Sequence, residues 1–193
     1  MSFYNENAVS YALETAQADL SQLYSQFAAR LQPGARVLDL GCGGGRDLRA
    51  FKTRGFDCIG VDPSARLAKI SAETSGCEVL VSKAQELSFV DAFDGIWACA
   101  SLLHLPKVEM PATLTRLRNA LRSNGVLFLS MQEGHGSSVE EDGRFYARYS
   151  NQELRELVVA SGLNLIDQWI TADSLKGRES IAWINLLAVK PSS

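Results

Sequence analysis

The chain lacks a run of apolar residues long enough to span a bilayer. Its opening, MSFYNENAVSYALE, has no basic stretch leading into an apolar core. Both absences argue against a transmembrane helix, a membrane partner and a secretory leader. Positive charge is not in excess: 19 Lys and Arg stand against 22 Asp and Glu, a net charge of -3. Duplex nucleic-acid binding usually needs a basic face, so a nucleic-acid partner is disfavoured. Cysteine is sparse and unpaired. Cys42, Cys58, Cys77 and Cys99 form no CxxC, and only His104 and His135 could join them. No metal site and no disulfide framework are expected. Reduced thiols in a cytoplasmic protein are the plain reading. Repeats, low-complexity tracts and linkers are missing too, and 193 residues suit one domain.

What is present is an alternation of strand and helix. Leu13, Leu20, Leu23, Phe27 and Leu31 recur at helical spacing and predict a helix from about Ala8 to Leu31, broken by QPGA. RVLDL then reads as a buried strand, and RDLRAFKTRG as a helix stopped by Gly55. DCIGVD is a second strand, and Pro63 suits the first turn of the helix after it. CEVLVS, FDGIWACA and VLFLSM supply three more strands, with a helix over MPATLTRLRNALRSNG. The central runs are nearly all apolar, as in a parallel sheet covered on both faces. Ser150 and Glu153 fit a capping box opening one last helix. LNLIDQWITAD and AWINLLAVK then follow with no helix between them, so they pair antiparallel. The expectation is an α/β fold: a doubly wound, mostly parallel sheet with one antiparallel strand near its end.

The most informative stretch is VLDLGCGGGRD, from Val37 to Asp47. A Gly-rich turn out of the first strand lets a ligand approach backbone, and an acid ending the next strand can hydrogen-bond ribose hydroxyls. Asp62 ends CIGVD at that distance. A dinucleotide fingerprint would place glycine where Arg46 stands. Asp39 would also sit badly beside a pyrophosphate, whereas it suits a ligand with an ammonium group.

VLDLGCGGGRD followed by GVDPS resembles the opening motifs of class I S-adenosylmethionine-dependent methyltransferases. Small bacterial members of the tellurite-resistance-like or ubiquinone-biosynthesis-like kind are the most similar. The resemblance implies a Rossmann-like seven-stranded sheet with its last strand antiparallel and an N-terminal helical cap. It implies S-adenosylmethionine as cofactor and S-adenosylhomocysteine as product. Asp39, Gly41, Cys42, Gly43 and Gly45 would hold the methionine part, and Asp62 the ribose, with Pro63 and Ser64 beside the adenosine. Ala84, Gln85 and Glu86 are the adenine candidates; many relatives have an aspartate there. Ala100, Ser101 and His104 follow the fourth strand at the methyl-transfer chamber, with His104 the candidate catalytic base. The N-terminal helix can cap the ligand edge, which makes Tyr4 and Tyr11 candidates. In DGRFYARYS the aromatics either pack on the sheet or form a substrate lid, with Arg144 and Tyr146 facing the acceptor together with Arg46. One domain over residues 1–193 is expected, with a cap at 1–32 and a lid at 132–149. The expected partner is a small-molecule acceptor, and the protein a monomer or homodimer. Three alternatives stay open: an RNA or protein methyltransferase, an NAD(P)-dependent oxidoreductase, and a non-catalytic cofactor-binding module.

Overall fold

A computed structural model describes residues 2–192 of the chain. Among the described residues nine strands occur: β1 (Arg36–Leu40), β2 (Asp57–Asp62), β3 (Glu78–Val81), β4 (Phe93–Cys99), β5 (Leu121–Gln132), β6 (Ser137–Val139), β7 (Phe145–Ala147), β8 (Asn164–Ala172) and β9 (Ala182–Val189). Seven of them form one sheet in the order β3-β2-β1-β4-β5-β9-β8, and β6 and β7 form a separate hairpin. β9 enters between β5 and β8 and runs antiparallel to both, while the pairs from β3 to β5 are parallel. The strand order reverses between β1 and β4, and ligands in such sheets bind outside the carboxyl ends at that point.

Helices α1 (Ser2–Glu6), α2 (Ala8–Thr15) and α3 (Ser21–Ala28) precede β1. α4 (Arg46–Thr53) and α5 (Ala65–Ser75) follow β1 and β2, α6 (Met110–Ala120) precedes β5, and α7 (Asn151–Ala160) precedes β8. Alternation along the strands feeds two cores. Leu38, Ile96 and Leu127 pack with Leu114 of α6 and Leu154 of α7. Val37, Trp97 and Phe128 pack on the opposite face with Phe27 of α3 and Phe51 of α4. There Trp97 stacks on Phe128 with ring centroids 3.9 Å apart, and Phe27 meets Phe51 edge-on at 5.4 Å. Each buried aromatic of this kind stabilises the fold by about 1.5–3 kcal/mol, and the cluster fixes α3 to the sheet.

Three local expectations need correction. The N-terminal segment is three short helices, not one. α2 ends at Thr15 and α3 starts at Ser21 with Leu20 at its N-cap position, and the Ser21 amide donates to Asp19 at 2.9 Å. Pro63 lies outside α5, because Ser64 is the N-cap and accepts from the Leu67 amide at 3.2 Å. Only half of the capping box forms at α7. Ser150 accepts from the Glu153 amide, but the Glu153 carboxylate pairs with Lys107 at 2.7 Å instead of turning back. Ser150→Ala should therefore lower stability by about 1 kcal/mol in a denaturant melt, the value of one N-cap bond.

The segment 132–149 begins inside β5 and contains the β6–β7 hairpin. Tyr146 and Tyr149 are both buried, so its aromatics do pack on the body of the protein. Among the described residues no helix is long and apolar enough to cross a membrane.

Candidate functional site

Two cavities open at the carboxyl ends of the central strands. One, of about 390 Å³, lies over β1 and β2 and is lined by Gly41, Gly43, Asp62, Pro63, Ala84 and Gln85. The other, of about 300 Å³, lies over β4, β5 and β9 and is lined by Arg46, Cys99, Leu103, Gln132, Trp183 and Asn185, among others. Both volumes fall at the lower end of the range for small-molecule sites, roughly 300–1,000 Å³. Tyr4, Tyr11, Gly41, Gly43, Ala100 and His104 belong to both linings and form a shared wall.

The glycine loop is shaped by close approach as much as by any ligand. Gly41 has φ +75°, and a Cβ there would stand 2.3 Å from Cβ of Ser101. Gly45 has φ +85° at the N-cap of α4, and its Cβ would meet backbone of Ser71 at 2.8 Å. These positions need glycine for conformation and for space. The loop is tied to β2 at both ends of the site. Gly41 donates its amide to the Val61 carbonyl at 2.7 Å, and Gly43 donates to the Asp62 carboxylate at 2.9 Å. Asp62 also accepts from the Ser64 amide at 2.8 Å. Burial raises the Asp62 pKa, and these two amides work against that rise. Two amide bonds leave lone pairs on both carboxylate oxygens for further donors.

Asp39 is nearly fully buried and does not line either cavity. Burial, then the charge of Asp47, raises its pKa well above the usual carboxylate range, and its Oδ2 has no hydrogen-bond partner. It sits under the loop. Ser64 is buried as well, holding Asn5 of α1 by a 2.7 Å bond, and Glu86 turns back to the Lys83 amide. Gly45, Ser64 and Glu86, like Asp39, are thus outside the cavity walls, while the other candidates stand on them. Gln85 is anchored through Nε2 to Glu109 at 2.6 Å. Cys42 lines the smaller cavity, but its thiol faces the Ser71 hydroxyl at 3.3 Å, and burial raises its pKa. A thiol so placed is no nucleophile.

At the end of β4 the chain turns through Ala100, whose φ of +52° is left-handed. Strained backbone of this kind concentrates at functional sites. It delivers Ser101, whose buried hydroxyl lines the larger cavity without a partner. His104 follows on the same turn. Its Nδ1 lies 2.7 Å from the Phe145 carbonyl, and its Nε2 lies 2.5 Å from the Tyr4 hydroxyl. A carbonyl can only accept, so Nδ1 carries the hydrogen and Nε2 accepts from Tyr4. Burial lowers the His104 pKa below its ordinary 6.5, which keeps the ring neutral. Burial raises the Tyr4 pKa, which keeps the phenol protonated. Arg144 lies over the Phe3 ring at 4.4 Å and over the Tyr146 ring at 5.4 Å, and it pairs with Asp142.

Sequence reasoning missed two groups. Asp47, one residue past Arg46, collects Arg46, Tyr24 and Trp97 on one buried carboxylate. The β8–β9 hairpin brings Thr171, Asp173, Arg178, Trp183 and Asn185 to the smaller cavity. The only signal for the second group was the polar Asn185 inside an otherwise apolar strand.

Residues 12–176 match a family described as a methyltransferase domain. The ubiquinone biosynthesis O-methyltransferase of Xanthomonas axonopodis pv. citri (strain 306) is 33% identical over 111 residues, 53% of this chain and 46% of that protein. A probable fatty acid methyltransferase of Mycobacterium tuberculosis is 31% identical over 145 residues, 72% of this chain and 34% of its own length. The chain thus spans half or less of these curated relatives. Among solved structures, the Burkholderia thailandensis 1,6-didemethyltoxoflavin-N1-methyltransferase, with bound 1,6-didemethyltoxoflavin and S-adenosylhomocysteine, superposes with a TM-score of 0.80. It is 24% identical, and the match covers 99% of this chain and 85% of that one, a likeness of fold.

Proposed function

This chain belongs to the class I S-adenosylmethionine-dependent methyltransferases, and on that premise we propose that it methylates a small-molecule acceptor held in the smaller cavity. The observation that carries the reading is the Gly43–Asp62 bond beside a cavity of about 390 Å³ at the point of strand reversal. A ribose-bearing ligand fits there. Asp62 retains acceptor capacity toward hydroxyl groups, and Ser101 offers an unpartnered buried hydroxyl. Gly41 and Gly43 present backbone to the cavity. Pro63, Ala84 and Gln85 would face the base, and Asp39, outside both linings, would not touch the ligand.

When bound, S-adenosylmethionine supplies a methyl group already activated on a sulfonium. The protein's part is alignment, exclusion of water and removal of one proton. The shared wall carries the pair suited to the last task. An acceptor hydroxyl or amine gives its proton to the Tyr4 oxygen as Tyr4 gives its own to His104 Nε2. The result is a neutral tyrosine and an imidazolium whose Nδ1–H still donates to the Phe145 carbonyl. Arg46, Tyr11, Arg144 and Tyr146 would line the acceptor's side.

The test is calorimetric titration of S-adenosylhomocysteine and of NADH into the wild type and Asp62→Ala. Micromolar binding of the homocysteine product is expected, weakened at least about tenfold by the substitution, or ~1.4 kcal/mol. Binding of NADH alone would overturn the reading.

A further inference from the structure

The lining of the smaller cavity bears on the kind of acceptor, an inference that rests on the methyltransferase reading. Along one face of the sheet the polarity changes abruptly. Phe128 of β5 stands opposite Leu187 of β9, the next row pairs Ser130 with Asn185, and the row after pairs Gln132 with Trp183. Directly paired residues share a face, and so do residues two apart on a strand. The apolar core therefore gives way to a polar band at the carboxyl end of β5, although Ser130, Gln132 and Asn185 are all buried. All three line the smaller cavity.

Buried polar groups normally find partners within the protein. Here they do not. The Asn185 Nδ2 donates to the Thr171 hydroxyl at 2.9 Å and to the Trp183 carbonyl at 3.3 Å. A carbonyl only accepts, which identifies that end of the carboxamide as the NH₂. The end left over is Oδ1, and it has no hydrogen-bond partner although Asn185 is 0% exposed. Among the described residues the Ser130 hydroxyl and the Gln132 carboxamide also make no side-chain hydrogen bond. Trp183 beside them has its ring fixed by a bond from Nε1 to Asp173 at 3.1 Å. Trp183 and Asn185 lie beyond residues 12–176, the stretch matched to the family.

We propose that Ser130, Gln132 and Asn185 form the acceptor subsite. It takes a small planar molecule with an amide-like edge: an N–H donor, met by Asn185 Oδ1, next to a carbonyl-type acceptor, met by Gln132 or Ser130. A cavity of about 300 Å³ accommodates one or two rings.

The probe is 2-pyridone, compared with N-methyl-2-pyridone, which has the same carbonyl and ring but no donor. Ligand-observed NMR titrations are run with and without saturating S-adenosylhomocysteine. The wild type is expected to bind 2-pyridone at least about tenfold more tightly, since the methylated probe leaves Oδ1 unpaired. Asn185→Leu should shrink that preference to within about twofold while calorimetric affinity for S-adenosylhomocysteine stays unchanged. Gln132→Leu, at the strand end, should weaken both probes alike and covers the case in which Asn185→Leu does not fold. Equal binding of the two probes to the wild type overturns the proposal, as does a preference that survives Asn185→Leu. Failure of S-adenosylhomocysteine to bind the wild type would instead overturn the methyltransferase reading, and donor selectivity is then read from the titration without it.

Discussion

Asp47→Ala should remove about 3–5 kcal/mol of stability, enough to unfold much of a marginal protein at 37 °C. Three donors converge on this carboxylate: Arg46 Nε at 2.5 Å, the Tyr24 hydroxyl at 2.5 Å and Trp97 Nε1 at 2.8 Å. Burial works against the charge of Asp47, yet these partners together hold its pKa below the ordinary 3.8. Alanine leaves a largely buried guanidinium without its counter-charge, together with an indole N–H and a phenol without their acceptor. Asparagine should fare little better, because its NH₂ would face donors. The loss also reaches the cap, since Arg46 Nη1 donates to the Thr15 carbonyl at the end of α2. Urea unfolding would show the shift in midpoint; a change below about 1 kcal/mol would contradict the account. The sign with pH follows from the lowered pKa. This stabilisation is present above the unfolded value of about 3.8 and is lost as pH falls through the native pKa.

His104→Asn should lower kcat by about 10²- to 10⁴-fold, the usual weight of a positioned base. Tyr4→Phe should cost less, because a water can take the place of the phenol. The rate should fall as pH drops through the native His104 pKa, so the acid limb lies below 6.5, in the direction that burial sets. Stability has the same sign: the unfolded chain binds the proton more readily, so stability rises with pH through that window. A structural histidine would leave the limb in place after Asn replaced it. Nitrogen NMR of the imidazole gives a check that needs no acceptor. Nδ1 should appear protonated and Nε2 bare at neutral pH, and the opposite tautomer would sink the relay.

The alternation of apolar strands and helices, and the missing helix between the last two strands, were legible because burial on both sheet faces forces continuous apolar runs. The cofactor side was legible for a related reason. Its contacts come from one turn and the end of the neighbouring strand, so local spacing places Gly41, Gly43 and Asp62 together. Pro63 was misplaced because a single polar side chain, Ser64, decides where α5 begins. Composition does not say which of several capping residues wins.

The sequence by itself determined the rhythm of strands and helices and the pairing of a glycine turn with an acid at the next strand's end, since each follows from periodicity or from neighbours along the chain; the class of cofactor followed from the family resemblance those motifs carry. Only the tertiary structure decided the acceptor side. Tyr4 meets His104 across 100 positions, and Asp47 meets Trp97 across 50. Asn185 faces Ser130 only because β9 inserts antiparallel beside β5. Such pairings depend on strand order and register, and no local pattern records them. A buried polar residue reads as an anomaly in its strand until the fold shows which cavity it lines.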